Sequence, residues 1–377
     1  MPALRRLVAA ATAAAGAIAA VGLAAAPAAS ARPAGSLPYL SQFQRLKTIA
    51  STVPANGDLN PYGVWILRDS IGRLHKGNIL VSNFNNKNNL QGTGRTIVQI
   101  TPRGRRTVFA DINPRTLPGA CPGGVGLTTA LVVLPNGWVV VGSTPSRNGM
   151  ASTSAAGCLI VLNAWGKVAE TISGRGINGP WDATVVITGH FAQLFVTNVL
   201  NGTRRANGKV VHRGTVLRIT LQLFRSAPPA RVKTTVIGSG FPQRTDPNAF
   251  ILGPTGVGIG QRGVLYVAET LTSRIWQIPR ALTRHGSAGQ GRLLTKGRFL
   301  SMPLGLALAP NSNVLTVNGG NGRIVETTPN GRQIFSRFLD TSGSPPGAGA
   351  LFGLAVLKGR GGVYYVDDAQ NTLRLLH

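Results

Sequence analysis

Acidic residues are scarce in this 377-residue chain: Asp and Glu together number 11 against 39 Lys and Arg, for a formal net charge of +28 at pH 7. That imbalance leaves the fold open, but it predicts attraction to anionic surfaces such as acidic polysaccharide, phospholipid head groups, cell-wall polymers or nucleic acid. Cysteine is almost missing too. Cys121 and Cys158 are the only two, without CxxC spacing, which argues against a thiolate metal site or a redox centre. The histidines show no HExxH pairing, and Gly238-Ser239-Gly240 is a loop tripeptide, not a nucleophile elbow. Gly92-Thr93-Gly94 lacks the third glycine and the helix of a dinucleotide site. The cations themselves are scattered, with small clusters at Arg103, Arg105 and Arg106 and at Arg204 and Arg205. No basic stripe is interleaved with aromatics, so specific nucleic-acid recognition is not expected.

Long apolar runs are confined to the N-terminus. Arg5 and Arg6 precede an uncharged Ala-rich segment from Leu7 to Ala29, and Ala29-Ser30-Ala31 stands before Arg32. This order predicts a secretory signal peptide at residues 1–31, cleaved after Ala31. An uncleaved anchor is the alternative, because the run is just long enough to span a bilayer. Cleavage leaves residues 32–377 as one domain with no further membrane span, exported to the periplasm or beyond and expected to be a monomer. Losing Arg5 and Arg6 lowers the net charge only to +26. Export to an oxidising compartment favours a Cys121–Cys158 disulfide, although sequence alone does not place the two Cα atoms within bridging distance.

What the chain has in abundance is turn residues, 49 Gly and 24 Pro, placed between short strand patterns. One phrase recurs. Pro254-Thr255-Gly256-Val257-Gly258-Ile259 is followed by Gly263-Val264-Leu265-Tyr266-Val267-Ala268-Glu269 and then Arg274-Ile275-Trp276-Gln277-Ile278. It returns at Pro303-Leu304-Gly305-Leu306, and in looser form at Pro61-Tyr62-Gly63-Val64 and Leu351-Phe352-Gly353-Leu354. A repeat of roughly 45–50 residues built from short strands is the signature of a β-propeller blade. Six copies can be traced, the third stretched by insertions around residues 201–213 and 227–244. The last copy ends at His377 without an outer strand, and Leu46-Lys47-Thr48-Ile49-Ala50 is a strand-like segment ahead of the first. The expected fold is therefore an all-β, six-bladed propeller closed by an N-terminal strand that completes the last blade, which removes exposed edges.

Leu265-Tyr266-Val267-Ala268-Glu269 with Ser273-Arg274-Ile275, echoed by Val366-Asp367-Asp368 with Asn371-Thr372-Leu373, resembles the NHL repeat of six-bladed propellers. Such propellers are related in fold to the gluconolactonase/senescence-marker and strictosidine-synthase-like families, whose functions differ. Positions equivalent to Glu269 read around the ring as Asn83, Ser143, Asn198, Gly319 and Asp368. The lactonase-like enzymes hold a divalent metal at the channel with an acid-and-amide set, so the resemblance implies Glu269, Asp368, Asn83 and Asn198 as ligands for Ca²⁺ or another divalent cation. Trp181 and Asp182, just after Gly179-Pro180, are expected near the channel mouth as binding residues. Two functions follow. One is a secreted binding or scaffold module for an anionic cell-envelope polymer or a protein; the other is a metal-dependent lactonase or esterase acting at the channel mouth.

Overall fold

Period-two alternation in these short segments sends successive side chains to opposite faces, and in strands such as Ile79–Asn85 and Val139–Ser143 both faces are buried. In the computed structural model, which describes residues 37–357 and 361–377, six antiparallel sheets surround an axis as the blades of a propeller. Blade 1 runs outward through Leu59–Ile66, Ile79–Asn85, Thr96–Ile100 and Arg106–Asp111. The inner strands of blades 2 to 6 are Leu127–Val133, Gly179–Thr188, Pro254–Ile259, Pro303–Leu308 and Leu351–Val356. The all-β, six-bladed expectation is borne out. A single helical turn, Thr203–Ala206, is the one α-helical segment among the described residues. The leader expected at residues 1–31 lies outside them, and no helix among them is long and apolar enough to cross a membrane.

Alternation explains how the blades stack. Val139 and Val141 of blade 2 pack against Leu80 and Ile97 of blade 1, while Val140 between them packs against Leu194 and Val196 of blade 3. The same division recurs at every seam, the last being Val366 and Tyr364 of blade 6 against Val81 and Val98 of blade 1. Blade 6 closes as expected. Strand Leu46–Ser51 pairs antiparallel with Thr372–Leu376, from Leu46 opposite Leu376 to Ser51 opposite Thr372. Just before it, the amides of Tyr39 and Leu40 each donate to the buried Glu326 carboxylate at 2.8 Å, which pins the N-terminal segment to blade 5.

Blade 3 needs one correction. Most of the segment read as an insertion at 227–244 is its long outer strand, Ala230–Asp246, which then turns into a fifth short strand, Phe250–Leu252. Length and sparse apolar alternation hid a strand whose outer face is half solvated. The two cysteines are bonded, with Cα atoms 5.3 Å apart. Cys158 opens the third strand of blade 2 and Cys121 lies in the loop before that blade's inner strand.

Candidate functional site

Inner strands begin and second strands end on one face of the ring, so the phrase Pro-x-Gly-apolar lands at the mouth of the channel. Its glycine is a requirement of space. A Cβ at Gly256 would lie 2.3 Å from the Leu304 carbonyl oxygen, and one at Gly353 would lie 2.0 Å from that of Tyr62. Neighbouring inner strands touch backbone to backbone there, and the channel is tight. Hydroxyls tie blade 1 to blade 2, blade 3 to blade 4 and blade 4 to blade 5: Ser82 donates to the Thr128 carbonyl at 2.8 Å, Thr197 to that of Thr255 at 2.6 Å and Thr270 to that of Pro303 at 2.8 Å.

In blade 3 the glycine is replaced by Asp182. Its carboxylate reaches the neighbouring blade instead, accepting from the Val257 amide at 2.9 Å and from the Ala183 amide at 2.8 Å. Burial pushes its pKa up to about 8, with those two amides opposing the shift only in part. Asp182 is thus a strut between blades 3 and 4. Trp181, expected as a binding surface, is 2% exposed. It lies in an aromatic cluster that fills the mouth: Tyr62 stacks on Phe84 and Phe352 at 4.5 and 4.1 Å between centroids, and Trp181 meets Tyr62 and Phe84 edge-on.

Phe250 completes the cluster from outside the repeat. It sits on the hairpin Arg244–Leu252, stacked over Trp181 at 6.2 Å and edge-on to Phe84 at 5.2 Å. Its φ of +62° is a left-handed conformation that a bulky side chain adopts only when the surroundings hold it. The hairpin tip is tethered to blade 1 by the Gln91 side-chain amide, which donates to the Asn248 carbonyl at 3.2 Å. Sequence reading missed this cap, yet half of it was visible. Tyr62, Trp181 and Phe352 all occupy the second position of the recurring phrase; only Phe250 has no repeat position to announce it.

The four residues expected to share a divalent cation stand on four different blades, 1, 3, 4 and 6. Register pairs Pro254 with Glu269, Pro303 with Asn318 and Leu351 with Asp367, so the true equivalents in blades 5 and 6 are Asn318 and Asp367, one residue before Gly319 and Asp368. Asn198 and Glu269 bond within their own blades, whereas Asn83 reaches the segment that follows the closing strand. The Asn198 side-chain oxygen accepts from the amides of Asn178 and Gly179 at 2.8 and 3.0 Å. Asn83 donates to the Thr52 carbonyl at 3.1 Å, and Glu269 accepts from the amide and hydroxyl of Thr272. Burial raises the Glu269 pKa, and the Thr272 bonds offset part of that. The Asn198 and Glu269 oxygens are committed to these local partners, whereas the Asn83 side-chain oxygen is buried with no hydrogen-bond partner. Among the described residues no three His, Cys, Asp or Glu side chains group as a metal site.

Asp368 is the exception. Displaced by one residue from the architectural position, it lies close enough to Tyr62 to raise the phenol's pKa, second to burial as a cause. Its own pKa is pushed up to about 7 by burial, and by Asp367 beside it. Asp367 is held instead by Arg374 at 2.8 Å.

No protein-family model matches this sequence, and no curated protein matches it. Solved structures do. A gluconolactonase from Xanthomonas campestris is 12% identical, over 88% of this chain and 88% of its own, with a TM-score of 0.53. A calcium-binding protein, regucalcin, from Agrobacterium tumefaciens is 13% identical over 87% of this chain and 94% of its own, at 0.53. A virginiamycin B lyase from Staphylococcus aureus is 15% identical over 88% and 84%, at 0.49. At such identities the likeness is one of fold: this chain is built as a six-bladed propeller.

Proposed function

We propose that this protein is a secreted, NHL-like propeller that binds an anionic partner, a polyanionic polymer of the cell envelope, on its outer surface. The observation that supports this reading is the sorting of charge by depth. Six of the eleven carboxylates, Asp58, Asp182, Glu269, Glu326, Asp340 and Asp367, are buried, whereas Arg218 is the one buried cation among the described residues. Asp111 and Asp246, less buried, are already paired with Arg95 and Arg244. The surface is therefore more cationic than the net charge implies.

Binding of the purified protein to an immobilised polyanion such as polyglutamate or teichoic acid tests the proposal. Association at low ionic strength that weakens steadily as salt rises is the expected result, because screening acts on exposed charge. No retention at low salt on any polyanion would reject it.

A hydrolytic reading has one observation in its favour, the half-buried Asp368 beside Tyr62, since a carboxyl poised near neutral pH suits general acid-base work. A screen of lactones and esters with the protein and Asp368→Asn decides it. Turnover lost in the variant supports an enzyme, and turnover that is absent or unchanged removes Asp368 from that role.

A further inference from the structure

A cavity of about 1010 Å³ opens between the blade 2 loop at 152–156 and the blade 3 insertion at 200–213. Arg204, Arg205 and Arg213 line it and no carboxylate does. None of the three forms an ion pair among the described residues. Three guanidinium groups sharing one concavity repel each other, and an anion placed among them removes that cost. The chain holds them there by design of its backbone. Gly202, at φ +78°, turns the chain into the helical turn that carries Arg204 and Arg205. The Arg213 stem lies over this bare glycine, where a Cβ would come within 3.1 Å of its Cδ.

A second feature of the same wall points to a ligand independently of charge. Ser154 lines the cavity, is 2% exposed, and its hydroxyl has no hydrogen-bond partner. Buried hydroxyls are ordinarily satisfied. Asn178 and Ser152 add polar groups, and Leu200 and Val211 supply an apolar strip.

We propose that this cavity binds an oligosaccharide segment carrying phosphate or carboxylate groups. Guanidinium forks match both oxyanions in bidentate geometry. The volume suits several linked rings and far exceeds a lone inorganic ion. Ser154, Ser152 and Asn178 answer sugar hydroxyls, and the apolar strip faces the C–H side of a ring. The assignment rests on the anion-binding reading above and gives it an address.

Calorimetric titration separates the two. The probes are a galacturonate hexamer, maltohexaose bearing a 6-phosphate, neutral maltohexaose, inorganic phosphate and a glutamate hexapeptide. The variants are Arg204→Gln/Arg205→Gln/Arg213→Gln, a control Arg103→Gln/Arg105→Gln/Arg106→Gln in blade 1, and Ser154→Ala, each checked for unchanged melting. The expected result is binding of a charged hexasaccharide over the neutral one, weakened about 30-fold in the cavity variant and less than about 3-fold in the control. Ser154→Ala is expected to lose about 3-fold in affinity with no loss of stability, which a merely structural serine would not do. Whichever charged sugar binds tells phosphate from carboxylate. Equal weakening in both triple variants, or preference for the peptide, overturns the cavity but leaves a polyanion-binding surface. Long polymers bound and every hexamer refused has the same meaning, and refusal of both sinks the two proposals together.

Discussion

Asp182 occupies the position that is glycine in blades 1, 4, 5 and 6, and its carboxylate fills the gap that those glycines leave for backbone contact. Its titration is coupled to folding with a definite sign. The group has a pKa of 3.8 in an ordinary setting and about 8 when folded. Between those values the unfolded chain releases a proton that the folded chain keeps, so stability falls as pH rises, and above about 8 the loss is complete. Within the window the contribution approaches about 1.4 kcal/mol per pH unit. Asp182→Asn retains an acceptor for one amide and has no proton to lose. Urea unfolding at several pH values between about 5 and 8 is expected to show a shallower decline in the variant, and an identical slope would assign the pH dependence elsewhere. The substitution was legible in the sequence as Pro180-Trp181-Asp182-Ala183 against Pro254-Thr255-Gly256-Val257. Its role was not, because a bond to Val257 depends on the distance between blades, which no spacing within one repeat encodes.

At the scale of elements, the hairpin Arg244–Leu252 departs most from the repeat. It extends the outer strand of blade 3 back across the face of the ring and delivers Phe250 into the aromatic mouth. Asp246 fixes its turn by accepting from the amides of Asn248 and Ala249 at 3.0 Å each. Phe250→Ala leaves a cavity against Phe84 and Trp181, for a loss of about 3–5 kcal/mol. Hydrogen exchange should quicken first in 244–252, since the ring seams do not depend on this side chain; uniform quickening across all blades would show that the cap holds the whole ring. Strands with regular alternation, such as Trp138-Val139-Val140-Val141, were readable because both faces meet apolar neighbours. Ala230–Asp246 was not, since much of its length is exposed or half-exposed and pairing with Val211–Gln222, not burial, makes it a strand.

For the whole molecule, the strand Leu46–Ser51 completes blade 6 by covering the edge of Thr372–Leu376. A variant lacking residues 38–51 would expose the edge strand Thr372–Leu376 and free Glu326 from the Tyr39 and Leu40 amides. Soluble aggregates in size-exclusion chromatography are the expected outcome, and a monodisperse protein with a sharp thermal transition would refute the need for closure. Six-fold repetition, the missing outer strand and its N-terminal replacement were all visible in the sequence because each is a matter of pattern. The channel's contents were not, since they arise from residues of different blades that meet only once the circle exists.

Closure also sets an order of events. The strand Leu46–Ser51 is among the first parts of the blade-forming chain to be made, and its partner Thr372–Leu376 is among the last. Blades 1 to 5 can each form from contiguous chain as it emerges, but the sixth waits until Thr372–Leu376 has been made. For that interval an unpaired early strand and an open circle coexist, so a stalled or truncated translation product is a ring with a gap.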